Sequence, residues 1–227
     1  GPIIRLATWN VENAIALDSI ITTFTNSAKY STLIDTARVP VGSEEYADAV
    51  AQRAVFAASD VVVLQQADIG MKRSNYRNSV KEIAAALGMN YAFGIEQIEI
   101  DPVNLGMKEE FTYEDNKVEE TLYQTFKVDP EKYLGLCGSA VLSRYPVKNV
   151  EVFPLQNQSY DWYYDEMQKS PIFQKVPRAQ ALEVFQEKIL RDMKIRKRIF
   201  MRVDLNVPEL PDGTLTVINV NLESKCT

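Results

Sequence analysis

Short apolar runs that close on polar residues dominate this chain. Ile3 to Trp9 is apolar, rich in β-formers and ends at Asn10, the pattern of a buried strand. Asp60-Val61-Val62-Val63-Leu64, Asn90 to Ile100 and Gly138 to Ser143 read the same way. A turn at Tyr145-Pro146 leads into a further strand, Val147 to Pro154. Arg198 to Val207 and Leu215 to Leu222 make a late pair joined by Pro211-Asp212-Gly213-Thr214, a hairpin signal. Helical spacing occurs in Glu44 to Ser59, where Tyr46, Val50, Ala54 and Ala57 share a face and Ser43 stands at the N-cap. Tyr76 to Leu87 predicts a helix stopped by Gly88, and Arg178 to Met193 another. Asn13 to Gly42 is polar and weakly patterned, which predicts an irregular connection. Asp101 to Tyr133 is charged and reads as a surface insertion. Gln156 to Pro177 holds Tyr160, Trp162, Tyr163 and Tyr164 among acidic residues.

Helices interspersed with strands, and late strands in hairpins, predict an α/β protein with a mixed or largely antiparallel sheet. The strands around Trp9, Val63, Val141, Val203 and Ile218 are expected in one twisted sheet with helices on one face. No internal repeat and no linker divides residues 1–227, which read as a single domain.

Composition narrows the classes. Hydrophobic residues make up 46% and charged residues 25% of the 227, ordinary globular usage that excludes a disordered chain or a rod. No apolar run reaches the about 18 residues a membrane span needs. The net charge of −6 works against nonspecific DNA binding, although a local basic patch is compatible with it. With no histidine, Ser-His-Asp, Cys-His and His-metal chemistries are all excluded. Two cysteines, Cys137 and Cys226, make neither a disulfide framework nor a zinc cluster. Gly1-Pro2 reads as a protease-cleavage remnant and is set aside, and nothing in the sequence fixes a compartment.

Three segments share one grammar, an apolar strand ending in carboxamides or carboxylates: Ala7-Thr8-Trp9-Asn10, Val63-Leu64-Gln65-Gln66 and Asn219-Val220-Asn221-Leu222-Glu223. Strand ends along one sheet edge converge on clefts in layered α/β proteins, where such side chains hold metal or phosphate oxygens. Taken singly, each reads first as a solvated strand end.

In order along the chain, LATWNVEN, DVVVLQQADIGMKRS, GSAVLSRYPV and TVINVNLES resemble the four strand blocks of the endonuclease/exonuclease/phosphatase superfamily. The resemblance implies a deoxyribonuclease I-like α/β sandwich, this chain carrying mainly its first half with insertions. It also implies a Mg2+-dependent phosphoesterase acting on nucleic acid, lipid or small phosphate esters. Asn10 would sit beside the metal or the scissile phosphate. Gln66 stands where the family has a metal-binding Glu, and Asn221 where it has a phosphate-holding His. Asn219 would support the cleft. Beside the resemblance, Lys72, Arg73 and Arg77 directly follow the second block and read either as phosphate contacts near the scissile bond or as a solvated helix start.

The departures carry as much information as the matches. Gln66 is neutral and a poor ligand for Mg2+, a hard cation that prefers carboxylates. Asn221 donates a hydrogen bond but carries no positive charge. Both changes keep volume and remove charge, the signature of a substrate-trapping variant or of a lineage that has abandoned catalysis. The family's later segments, including the pair that activates water, have no counterpart before Thr227. The expectation is therefore an inactive or incomplete phosphoesterase, or alternatively a binding pseudoenzyme or an interaction subunit. An open half-sandwich would need a second polypeptide or a lost C-terminal part to complete it.

Three further features admit functional readings beside structural ones. Lys188, Arg191, Lys194, Arg196, Lys197, Arg198 and Arg202 form the densest basic run, either a phosphate surface or a charged helix running into a strand. The Tyr160–Tyr164 aromatics are a stacking platform or a loop anchor. Cys137, between Gly135 and Gly138, is a packed residue or a thiol nucleophile, and no histidine exists to activate the latter.

Overall fold

The computed structural model describes residues 3–100, 134–155, 194–196 and 198–222. The charged insertion, the Tyr160–Tyr164 aromatics and the helix expected over Arg178 to Met193 lie outside the described residues.

Among the described residues, eight strands fall in two sheets. The strands are β1 (Leu6–Asn10), β2 (Val61–Ile69), β3 (Asn90–Ile100), β4 (Leu134–Ser143), β5 (Val147–Pro154), β6 (Lys194–Arg196), β7 (Ile199–Asn206) and β8 (Thr214–Val220). The first sheet runs in the order β1-β2-β4-β3-β6 and the second β5-β7-β8. Only β1 and β2 pair in parallel; every other pairing is antiparallel. The expectation of one sheet is thereby corrected, because Val203 and Ile218 belong to the second.

Strand alternation explains how one sheet serves two cores. Val62 and Leu64 of β2, with Ala140 and Leu142 of β4, face the helices and pack with Leu17, Ile20, Phe24, Val80 and Ile83. Val61, Val63 and Val141 point the other way, onto Ile199, Met201, Val203, Leu205 and Val217 of the second sheet. Each such side chain, fully buried, contributes about 1.5–3 kcal/mol. The late strands alternate too, so they cannot share a sheet with β2 and also bury a face against it. They stack on it instead.

Asn13 to Gly42 is not irregular throughout. It forms α1 (Leu17–Thr25) and the single turn α2 (Ser27–Tyr30). Leu17, Ile20 and Phe24 recur at helical spacing and are buried, a stripe obscured by the surrounding Thr and Ser. Trp9 and Phe56 complete an aromatic trio with Phe24, ring centroids 5.6–6.0 Å apart. The helix α3 (Glu44–Ala57) starts where Ser43 accepts from the Tyr46 amide. The next helix, α4 (Ser79–Leu87), begins three residues later than the sequence predicts. Asn78 caps it by accepting from the Lys81 amide, and Asn75 and Tyr76 ahead of it are left-handed. Gly88 ends it in left-handed conformation as predicted.

No helix among the described residues is long and apolar enough to cross a membrane. The outer face of the second sheet carries Phe153 and Ile218, each about half exposed.

Candidate functional site

Two β-bulges flank the same point of β4. Between Leu64 and Ala67 the register of β2 against β4 slips by one residue, and between Ile95 and Gln97 that of β3 slips likewise. Gln65 and Gln66 are the residues inside the first irregularity and Glu96 is the residue inside the second. Bulges re-aim side chains where they interrupt a ladder. Gln66 takes a left-handed backbone, φ 56°, which a non-glycine residue adopts only at a cost. Between the bulges, Gly138 meets the Gly94 carbonyl so closely that a Cβ at 138 would lie 2.0 Å from its oxygen.

The bulges separate an apolar end of the inter-sheet core from a polar one. Gln65 reaches across to the second sheet: its Nε2 donates to Asn219 Oδ1 at 3.0 Å and to Thr8 Oγ1 at 3.1 Å. Asn219 is 1% exposed and its Nδ2 donates to the carbonyls of Leu64 at 2.9 Å and Ala140 at 3.1 Å. These two residues form the last register pair before the bulge. One asparagine thus ties β8 to both β2 and β4.

Asn10 ends β1 opposite Gln65 and is exposed; its Oδ1 accepts from the Glu12 amide at 3.0 Å. The 3-10 turn that follows, Glu12–Ala14, holds three consecutive residues at positive φ. The turn Lys72–Ser74 packs beside it. Asn221 lies two residues beyond Asn219, and its Nδ2 is buried with no hydrogen-bond partner among the described residues.

The cations predicted to bind phosphate fare differently from one another. Arg73 is held by Asp68 through two hydrogen bonds, 2.6 and 2.9 Å, with Asp68 fully buried. Burial works against the guanidinium charge there, but the hydrogen bonds and charge of Asp68 outweigh it and raise the pKa. Arg77 bonds Glu82 at 3.0 Å and Asp18 at 2.8 Å. Lys72 is half-buried and has no carboxylate partner among the described residues. Of the basic run, Arg198 pairs with Glu96 at 3.2 Å and Arg202 with Glu151 and Asp204 at 3.2 and 3.1 Å.

The structure therefore brings Gln65 and Asn219 together beside Asn10; Gln66 follows Gln65 in β2, and Asn221 lies just past the end of β8. Sequence reasoning singles out Gln66 and passes over Gln65. The signal for Gln65 is present: it continues the alternation of Val61 and Val63 toward the second sheet. The buried set behind the rim also escapes it. There Ser139 donates to Glu96 Oε1, Gln97 to Glu99 Oε2 at 3.1 Å, and Cys137 to Asn13 Oδ1 at 3.7 Å. Burial and the neighbouring Asp68 push the Cys137 thiol far up, so the packed reading of that residue holds and the nucleophile reading does not.

The Mg2+ that the sequence resemblance implies has to be judged on this donor set. Asn10, Gln66, Asn219 and Asn221 are all neutral, and both ends of the Asn219 amide are already engaged. Asp68, two residues beyond Gln66, is neutralised by Arg73. Among the described residues no group of three His, Cys, Asp or Glu side chains is placed to hold a metal. These residues do not fit a hard divalent cation.

No protein-family model matches the chain, and no curated protein matches it. In shape it is similar to an endonuclease/exonuclease/phosphatase from Beutenbergia cavernae DSM 12333. The identity is 16% and the TM-score 0.44. The likeness covers 96% of this chain and 38% of that one, so the chain spans well under half of its length.

Proposed function

We propose that the strand ends around Asn10, Gln66 and Asn221 form a phosphate-ester site of the endonuclease/exonuclease/phosphatase kind, in a form that binds its ligand and hydrolyses it poorly or not at all. The observation that carries this reading is the Gln65–Asn219 hydrogen bond, which draws the ends of β1 and β8 to the bulge in β2. A rim of carboxamides presents donors to phosphate oxygens and excludes general-base chemistry at those positions. In an active relative of this design, a carboxylate at position 66 would hold Mg2+, and a metal ion there would stabilise charge on the phosphoryl oxygens. Gln66 forgoes that charge and Asn221 forgoes a cationic donor. Losing one such transition-state group costs about 10²–10³ in rate.

The reading extends to partners. The ligand is a phosphate ester, nucleic acid among the candidates, and a second polypeptide completes the three-stranded sheet. The test restores the charges. Q66E and N221H, made together in the product of the complete gene, are assayed with Mg2+ for plasmid nicking and against a panel of phosphodiesters and monoesters. Turnover should rise by about 10²-fold or more over the parent. No rise on any substrate of the panel would refute the assignment of these two positions.

A further inference from the structure

The misfit between this rim and a metal ion leads one step further, and the step rests on the phosphate-ester reading above. We propose that the site binds the phosphate group directly, without a divalent cation, through the carboxamide N–H groups of Asn10, Gln66 and Asn221 together with Lys72.

The hydrogen-bond pattern decides which atoms face the ligand. Asn10 Oδ1 is occupied by the Glu12 amide, so Nδ2 is the atom left to donate. Asn221 Nδ2 is cut off from solvent and unmet among the described residues. A buried donor left so costs about 1–3 kcal/mol, which a ligand oxygen would recover. Gln66 is half-buried on its left-handed residue, with no hydrogen bond among the described residues. Lys72 stands on the turn beside Glu12–Ala14 with no carboxylate partner among the described residues, whereas Arg73 and Arg77 are committed elsewhere. Gln65 and Asn219 engage each other and serve as the floor.

The ionised oxygens of a phosphate group accept hydrogen bonds, so a rim of donors matches them. Of the carboxylates nearby, Asp68 is met by Arg73, and Glu12 is exposed, where solvent and salt screen it. A glutamate at position 66 would repel a bare phosphate and require a cation between the two. The amide at that position removes the repulsion and adds a donor. The change that disables metal chemistry thus permits direct anion binding.

Isothermal titration of the unaltered protein with inorganic phosphate and with a dinucleoside monophosphate, in EDTA and in MgCl2, tests this. The Kd in the two buffers should agree within about twofold. N221L should weaken binding about tenfold or more, the loss expected for a hydrogen bond to a charged group. Q66E should weaken it about tenfold in EDTA and regain affinity in Mg2+, because the added carboxylate repels the anion until a cation bridges them. K72Q should weaken binding and flatten its salt dependence. Tighter binding of the dinucleoside monophosphate would identify an internal diester, and of inorganic phosphate a terminal one.

Binding that requires Mg2+, or no binding of either probe, would overturn the proposal. So would unchanged affinity in K72Q, which decides the matter alone if N221L fails to fold. Metal-free binding with no hydrolysis by the restored double variant would instead remove the phosphoesterase assignment and leave this inference standing.

Discussion

Replacing Asn219 is the sharpest probe of how the two sheets are joined. Its side chain makes three hydrogen bonds in a site 1% exposed: two given to the Leu64 and Ala140 carbonyls and one received from Gln65. In Asn219→Ala, three partners lose their bonds in a buried place. At about 1 kcal/mol per bond with some added desolvation, the loss comes to about 3–4 kcal/mol. For a chain of this size that is a fall in Tm of roughly 6–16 °C. Asn219→Asp separates bonding from bulk. It keeps the shape but turns an oxygen toward two carbonyl oxygens, and burial disfavours its charge, so it should be worse than alanine by about 2 kcal/mol near pH 7. Because that burial raises the carboxyl pKa, the protonated form should dominate near about pH 4.5 and the gap should narrow. Urea denaturation followed by circular dichroism at both pH values measures it. An aspartate variant as stable as the parent, or more stable than the alanine variant at pH 7, would refute the placement of the amide.

Two other buried groups give independent outcomes. Cys137 should resist alkylation in the native protein and react on unfolding, read by mass spectrometry of its peptide. Its raised pKa means that the folded chain keeps a proton which the unfolded chain loses above about pH 8.5, so stability should decline with rising pH by up to about 1.4 kcal/mol per unit; Cys137→Ala should abolish that slope. Arg198→Leu strands Glu96, whose side chain is 5% exposed, and should cost about 3–5 kcal/mol in denaturant titration, with Glu96→Gln in the same protein recovering part of it. A loss under about 1 kcal/mol would mean that the pair is not buried as described.

Where local pattern and tertiary packing agree, the sequence is legible. The β2 strand, the Ser43 cap, the Gly88 stop and the turn after Val207 all follow from residue type at a few positions. The second sheet does not follow, because alternation in β7 and β8 says only that one face is buried, not against what. The stripe Leu17, Ile20 and Phe24 is hidden by neighbouring hydroxyl residues that favour turns. At the rim, Asn10 and Asn219 are readable as strand ends, but Gln65 gains its role from the residue opposite it in the other sheet. Arg73 illustrates the converse. It follows the second strand block as a phosphate contact would, yet a carboxylate five residues earlier holds it. Partner choice of this kind depends on the bulge, and a one-residue slip in pairing leaves no mark on composition or period.

The backbone supplies a reason to treat the rim as more than a solvated edge. Among the described residues, the non-glycine positions of positive φ are Glu12, Asn13 and Ala14 just after β1, Gln66 at the bulge of β2, and Asn75 and Tyr76 on the segment that follows β2. Left-handed backbone costs about 1–2 kcal/mol for Glu12, Ala14, Gln66 and Tyr76, a cost that Gly70 avoids where the chain leaves β2. Ala14, fully buried, and the Gln65–Asn219 tie are what hold the distorted segment in place. Strain kept against available relief points to side chains whose direction matters. At Gln66 the side chain kept is neutral and half-buried, at the bulge in β2 beside the ends of β1 and β8. The phosphate contact proposed above would account for the strain held there.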